Sequence, residues 1–202
     1  MGKVLILNGS PRAPRSNSKR YAELFAAACP LETRYAALIK ENHGDLCREL
    51  EDVSHLLLVF PLYVDGLPVT LLRFLEVLEQ HPPRNKPVIS VLINCGFLEP
   101  EQNDVAVDMV RLFARQNGYP FGSVLKIGGG EAILDTPFRG LARWKIGQLA
   151  RAVAKDRRRV LRVTMPMPKG AFLKASSRYW EAYGARGGVT RAQMETLEIE
   201  GG

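Results

Sequence analysis

Only three cysteines, Cys29, Cys47 and Cys95, occur in 202 residues. They are dispersed and odd in number, so neither a disulfide framework nor a CxxC metal or iron–sulfur site is indicated, and a reducing, cytoplasmic compartment is expected. Histidine is equally sparse: His43, His55 and His81 form no HxH or HExxH pair, which leaves no histidine-built metal site in view. No apolar run approaches the roughly 18 residues of a membrane span. With the first strand predicted from Lys3, no secretory leader is expected, and Met1-Gly2 is not followed by the Ser/Thr that myristoylation favours. Acidic residues are in deficit, giving a net charge of +7. The excess includes a compact run, Lys155 through Arg162, rather than an aromatic-basic face, so a solvated helix end is expected and nucleic-acid binding is not. Two familiar phosphate motifs are also missing, because no loop ends in Gly-Lys-Ser/Thr and none carries three glycines at dinucleotide-binding spacing.

What is present is an alternation of apolar runs and amphipathic stretches, with 46% hydrophobic residues to fill a core. The pattern predicts strands at Lys3–Leu7, Glu32–Leu38, His55–Phe60, Pro87–Ile93 and Ser123–Ile127. Helices are expected between and after them, at Asn17–Ala28, Gly44–Glu51, Leu67–Glu79, Asn103–Asn117 and Arg139–Lys155. Near-continuous apolar strands at this spacing mean a parallel sheet covered on both faces. Five strands with right-handed crossovers give a doubly wound α/β sheet whose ligand sits beyond the carboxyl ends of the strands.

The loops at that edge carry the chemistry. Strand one runs into Gly9-Ser10-Pro11-Arg12 and then Ser16-Asn17-Ser18, where short hydroxyl and amide side chains meet a helix start. Unpaired N–H groups and the positive end of the helix dipole make this a phosphate cradle. The plainer alternative is that Ser16 or Asn17 only caps the helix. Strand three leads into Pro61-Leu62-Tyr63-Val64-Asp65-Gly66-Leu67-Pro68, in which Tyr63 either lies against a flat ligand or packs as a surface aromatic. Asp65 either contacts a substrate or stabilises the turn beside Gly66. Strand four ends in Asn94-Cys95-Gly96-Phe97, a third polar turn, where Cys95 reads as a small buried hydrophobe ahead of a reactive thiol. Gly128-Gly129-Gly130 after strand five either lets backbone approach the same crevice or forms a flexible bend.

These residues resemble the flavodoxin-like NAD(P)H-dependent FMN reductases and NAD(P)H quinone reductases, over about residues 3–155. The family's Gly-Ser-Pro-Arg…Ser-x-Ser loop corresponds to Gly9-Ser10-Pro11-Arg12 with Ser16-Asn17-Ser18, and its Pro-x-Tyr…Leu-Pro loop to Pro61, Tyr63, Leu67 and Pro68. Asn94-Cys95-Gly96-Phe97 is similar to the third flavin-contacting loop. The stretch Leu71-Leu72-Arg73-Phe74-Leu75-Glu76 departs from the family's habit of a lysine and a closing aspartate, conservatively in charge. The resemblance implies a flavodoxin-like three-layer α/β sandwich, a five-stranded parallel sheet in the order 2-1-3-4-5 with helices on both faces, and bound FMN. Ser10, Arg12, Ser16, Asn17 and Ser18 then hold the phosphate, and Pro61, Leu62, Tyr63, Val64, Asn94, Cys95, Gly96 and Phe97 frame the ring. It implies NAD(P)H as co-substrate, a quinone, flavin or similar small molecule as acceptor, and a homodimer. No catalytic side chain is named, since the flavin itself carries the chemistry. The alternative is an FMN-binding electron carrier or sensor without fast NAD(P)H turnover. Related iron–sulfur flavoproteins need a cysteine cluster this chain lacks, and one-electron flavodoxins are usually acidic where this chain is basic.

Residues 1–160 are thus expected to form the FMN-binding domain and 161–202 a C-terminal appendage on it or on a second subunit. Met165-Pro166-Met167-Pro168 breaks regular structure, and Ala171–Tyr183 then shows Phe172, Leu173, Tyr179, Trp180 and Tyr183 at helical spacing. Gly184–Gly188 reads as a flexible break before Arg191–Leu197, with a disordered tail at Glu198–Gly202.

Overall fold

A computed structural model describes residues 2–13 and 15–196, and the tail expected at Glu198–Gly202 lies outside them. The first compact unit, up to Met165, holds β1 (Lys3–Asn8), α1 (Asn17–Ala28), β2 (Glu32–Ala37), α2 (His43–Glu49), β3 (His55–Pro61) and α3 (Val69–Gln80). It continues with β4 (Val88–Asn94), α4 (Asp104–Gln116), β5 (Phe121–Ile127), α5 (Arg139–Val153) and β6 (Val160–Val163). All neighbouring strands pair in parallel in the order β2-β1-β3-β4-β5-β6, with Ile6 opposite Tyr35 on one side and Leu57 on the other.

The expected order 2-1-3-4-5 therefore stands, extended by one strand. Val160–Val163 joins the sheet beside β5 instead of opening the appendage. Its alternating exposure marks an edge strand with one covered face, as the mixed sequence of β2 does at the opposite edge. The central strands β1, β3 and β4 are buried along almost their whole length, which is why they read as unbroken apolar runs.

Alternate strand residues face opposite layers. Leu5, Leu7, Leu58, Phe60 and Val91 share one core with Leu71, Phe74, Leu75 and Leu78, the i, i+3, i+4, i+7 stripe of α3. Removing a side chain such as Phe74 from such a core costs about 3–5 kcal/mol. On the other face α1 and α5 pack against each other, burying Tyr21, Phe25, Ile146 and Leu149.

The second unit, from Pro166, contains α6 (Lys169–Arg186) and α7 (Arg191–Met194). The helix continues through Gly184, which the sequence assigned to a break, and the chain turns only after Arg186, with Gly188 at φ +75°. None of the residues of α6 is buried, and Tyr179 and Trp180 meet edge to face at 5.2 Å between centroids. Thr190 and Gln193 form a reciprocal capping box at the start of α7. Among the described residues no helix is long and apolar enough to cross a membrane.

Candidate functional site

The carboxyl ends of β1, β3 and β4 open onto one crevice of about 580 Å³, inside the range of small-molecule sites. Behind it lies Asn8, the last residue of β1, whose side chain is fully buried. The Asn8 Oδ1 accepts the Ser10 N–H at 2.9 Å, folding the chain into an Asx turn. The Ser10 Oγ then accepts the Arg12 N–H at 3.2 Å. Glycine at position 9 lets the turn pack closely on α3 and β3, for a Cβ there would stand tightly at 3.3 Å from Leu71 Cβ and 3.4 Å from Phe60 Cβ.

Ser16 is the N-cap of α1, with extended backbone and its Oγ accepting the Lys19 N–H at 3.2 Å. The first N–H groups of a helix have no intrahelical acceptor, and no acidic residue occupies the first turn of α1 to satisfy or oppose them. Ser10, Arg12, Ser16, Asn17 and Ser18 all line the crevice, so the structure brings the five together. Capping and ligand binding are not exclusive here: Ser16 caps α1 and still faces the cavity.

The charge of this wall is positive on balance. Arg12, Arg15, Lys19 and Arg20 face Glu23 and Glu131. Arg20 is committed to Asp135, and Lys19 lies 3.9 Å from Glu23. Arg12 and Arg15 bring two guanidiniums that make no ion pair with a described residue. Arg15, Lys19, Arg20, Glu23 and Glu131 were not foreseen as lining residues; Arg15 to Arg20 follow from extending the loop by one helical turn, whereas nothing in sequence links Glu131 to residues so distant.

Pro61, Leu62 and Tyr63 form the second wall. The Leu62 N–H donates to the Asn94 carbonyl at 2.7 Å, continuing the β3–β4 pairing into the loop. Tyr63 and Gly66 then exchange backbone hydrogen bonds of 3.2 and 3.0 Å around Val64 and Asp65, at φ +47° and +54°. That is the geometry of a type I′ turn. A left-handed β-branched residue is strained, and Val64 is 91% exposed, so the turn holds it there without burying it. Tyr63 is half exposed at the rim, and Val64 lies outside the crevice lining.

Of the third loop only Asn94 reaches the crevice. Its Nδ2 donates to the Phe60 carbonyl at 3.3 Å and to Ser18 Oγ at 3.4 Å, tying the strand-four loop to the start of α1. Cys95 turns inward, buried among backbone carbonyls, with its N–H on the Ile127 carbonyl at 3.0 Å and its thiol pushed up by burial. Gly96 and Phe97 also lie outside the lining, Phe97 being half exposed. The glycine run explains this turn. The Gly129 N–H donates to the Phe97 carbonyl at 2.5 Å and the Gly130 N–H to the Cys95 carbonyl at 2.8 Å. The Tyr21 hydroxyl closes the arrangement on the Gly130 carbonyl at 2.5 Å.

Histidines take no part. His43 and His55 are buried, and burial lowers both below the ordinary imidazole value. Among the described residues no group of three or more His, Cys, Asp or Glu converges where a metal ion could be held.

Sequence comparison finds no matching family model and no matching curated protein. Structure comparison finds likenesses that define the fold as flavodoxin-like. The rubredoxin oxygen:oxidoreductase of the anaerobe Desulfovibrio gigas superposes with TM-score 0.60 and 12% identity over 77% of this chain. The match spans only 36% of that longer protein. The NAD(P)H:quinone oxidoreductase of Methanothermobacter marburgensis gives TM-score 0.55 and 16% identity over 76% of this chain and 96% of its own. An FMN-dependent NADH-azoreductase of Bacillus anthracis, solved with FMN, gives TM-score 0.55 and 13% identity over 76% of this chain and all of its own (100%).

Proposed function

We propose that this protein is an FMN-dependent NAD(P)H oxidoreductase that passes hydride equivalents to a quinone, a flavin or a similar small acceptor. The observation that carries the reading is the cradle. Ser10, Ser16, Ser18 and Asn17 surround one helix start, Arg12 and Arg15, which have no carboxylate partner among the described residues, stand beside it, and the crevice continues along Pro61–Tyr63 to Asn94. A phosphate monoester fits that donor set, and a flat ring extended from it meets the second wall. Two of the structural likenesses are to reductases whose descriptions name NAD(P)H or NADH, one of them with FMN bound.

FMN, when bound, supplies two-electron hydride chemistry. The protein's part is to bind, orient and shield. Ser10, Arg12, Ser16, Asn17 and Ser18 hold the phosphate end; Pro61, Leu62, Tyr63 and Val64 flank the ring on one side. Asn94 serves the other side, with Cys95, Gly96 and Phe97 shaping the loop behind it. No acid or base is assigned. We further propose a cytoplasmic homodimer in which the second unit, from Pro166, serves as an appendage whose exposed α6 aromatics lie at a subunit contact.

The test is the visible spectrum after incubation with FMN and desalting, followed by anaerobic NADPH or NADH and then a quinone. Retained colour that bleaches with nicotinamide and returns with quinone supports the enzyme. Colour that neither nucleotide bleaches favours the electron carrier, and a colourless protein overturns both.

A further inference from the structure

Two residues behind the cradle, Asn8 and Tyr35, decide which way the Ser16 hydroxyl points. The Ser10 amide can only donate, so its bond to Asn8 Oδ1 fixes the orientation of that carboxamide and sends Nδ2 the other way. Nδ2 carries two protons. One goes to Ser16 Oγ at 3.2 Å, the other to the Tyr35 hydroxyl oxygen at 3.0 Å. Ser16 Oγ also accepts the Lys19 N–H, so both of its lone pairs are taken and its own proton is left to donate into the crevice. Ser10 Oγ accepts from the Arg12 N–H and Ser18 Oγ from Asn94 Nδ2, so each of these hydroxyls also keeps its proton for a ligand.

We propose that Tyr35, acting through Asn8, is a positioning residue that holds the Ser16 hydroxyl as a donor and makes the cradle selective for a terminal phosphate over a hydroxyl in its place. The inference rests on the FMN reading and deepens it. A ligand hydroxyl brings a proton that needs an acceptor, and Ser16 has none to offer; a phosphate brings acceptors only. Tyr35 reaches this network from β2, an edge strand, where its ring is partly exposed and its hydroxyl sits opposite the end of β1. Without that hydroxyl the second Nδ2 proton of a fully buried Asn8 loses its acceptor, and the carboxamide, still held by the Ser10 N–H, is less firmly directed at Ser16 Oγ.

The experiment is a double-mutant cycle on the full chain, with Tyr35→Phe, Ser16→Ala and both together, titrated with FMN and with riboflavin by flavin fluorescence. Tyr35→Phe keeps the ring and removes one oxygen. The expected result is about tenfold weaker FMN binding with riboflavin unchanged. The double variant should bind FMN no more weakly than Ser16→Ala alone, since Tyr35 acts through that hydroxyl. Unchanged FMN affinity in Tyr35→Phe, equal weakening of both flavins, or additive losses would each overturn the inference. A wild type that takes neither flavin removes the functional reading instead, and the cradle is then judged with inorganic phosphate. Phosphate that raises the melting temperature of wild type but not of Tyr35→Phe supports the inference; phosphate without effect on wild type overturns it.

Discussion

Arg20 and Asp135, 115 residues apart, are joined by two hydrogen bonds of 2.8 and 2.5 Å that fasten the first turns of α1 to the turn after β5. Arg20 also donates to Asn17 Oδ1 at 3.0 Å, which aims the Asn17 amide at the Glu131 carbonyl. Both partners are largely exposed, so the pair itself is worth about 0–1 kcal/mol. Its effect on the crevice is the larger one: Arg20→Ala should cost little in urea unfolding yet weaken FMN several-fold by releasing Asn17. The arginine holds the Asp135 carboxyl below its usual range. Its contribution is therefore complete above a pH of about 4 and disappears as acid protonates the carboxylate. Comparing acid unfolding of wild type and Asp135→Asn checks that sign.

The Tyr21 hydroxyl on the Gly130 carbonyl is a buried bond, and burial pushes the phenol well above its ordinary value, so it remains a neutral donor. Tyr21→Phe leaves that carbonyl without its donor and should cost about 1–3 kcal/mol. Calorimetry should read this as a melting point lower by about 2–4 °C per kcal/mol. Gly130→Ala should be worse, because the added Cβ would stand 2.6 Å from Asn94 Cβ and push the two loops apart. A Tyr21→Phe variant that melts with wild type would show the bond to be energetically idle.

Val64 offers the opposite sign. Its left-handed backbone at high exposure means strain with no burial in return, and asparagine tolerates both central positions of a type I′ turn. Val64→Asn should stabilise the protein by about 1 kcal/mol, read from the urea midpoint at constant slope. If Val64 contacts a bound ring, the same substitution also raises the dissociation constant for FMN.

His43 and His55 give a pH dependence nearer neutrality. Burial lowers both in the folded state, with Glu41 opposing the shift at His43 and Asp156, 3.8 Å away, opposing it at His55. The folded protein then binds fewer protons than the unfolded chain, so stability is full above a pH of about 6.5 and falls as pH drops through that value. Urea midpoints across that window should slope downward toward acid. Replacing both histidines by glutamine should flatten the slope, and an unchanged slope would assign the dependence to other groups.

The parallel sheet and the serine loop with its helix cap were legible because each is written locally. Val4 to Leu7 and Leu56 to Phe60 are unbroken apolar runs, and Ser16 stands where a cap must stand. The sixth strand was not legible, since Val160–Val163 is four residues long and follows an arginine run that reads as solvated. Glu131 and Tyr35 escaped for another reason. One reaches the crevice through a loop far along the chain, the other from an edge strand of mixed polarity, and neither carries a periodic signal. The inward turn of Cys95 depends on hydrogen bonds to Gly129 and Gly130, a loop-to-loop pairing that spacing alone does not specify.

The strand order also sets a timetable for synthesis. With β1 between β2 and β3, everything that shapes the serine cradle, including Asn8, Tyr35 and the Val59 carbonyl that receives the Gly9 N–H, has left the ribosome early. The fasteners of α1, Gly130 and Asp135, are translated some 70 residues later, roughly 4 to 14 s at ordinary elongation rates. For that interval the nascent chain carries a serine loop whose helix is not yet fastened, so the crevice reaches its final shape only when the loop after β5 has been made.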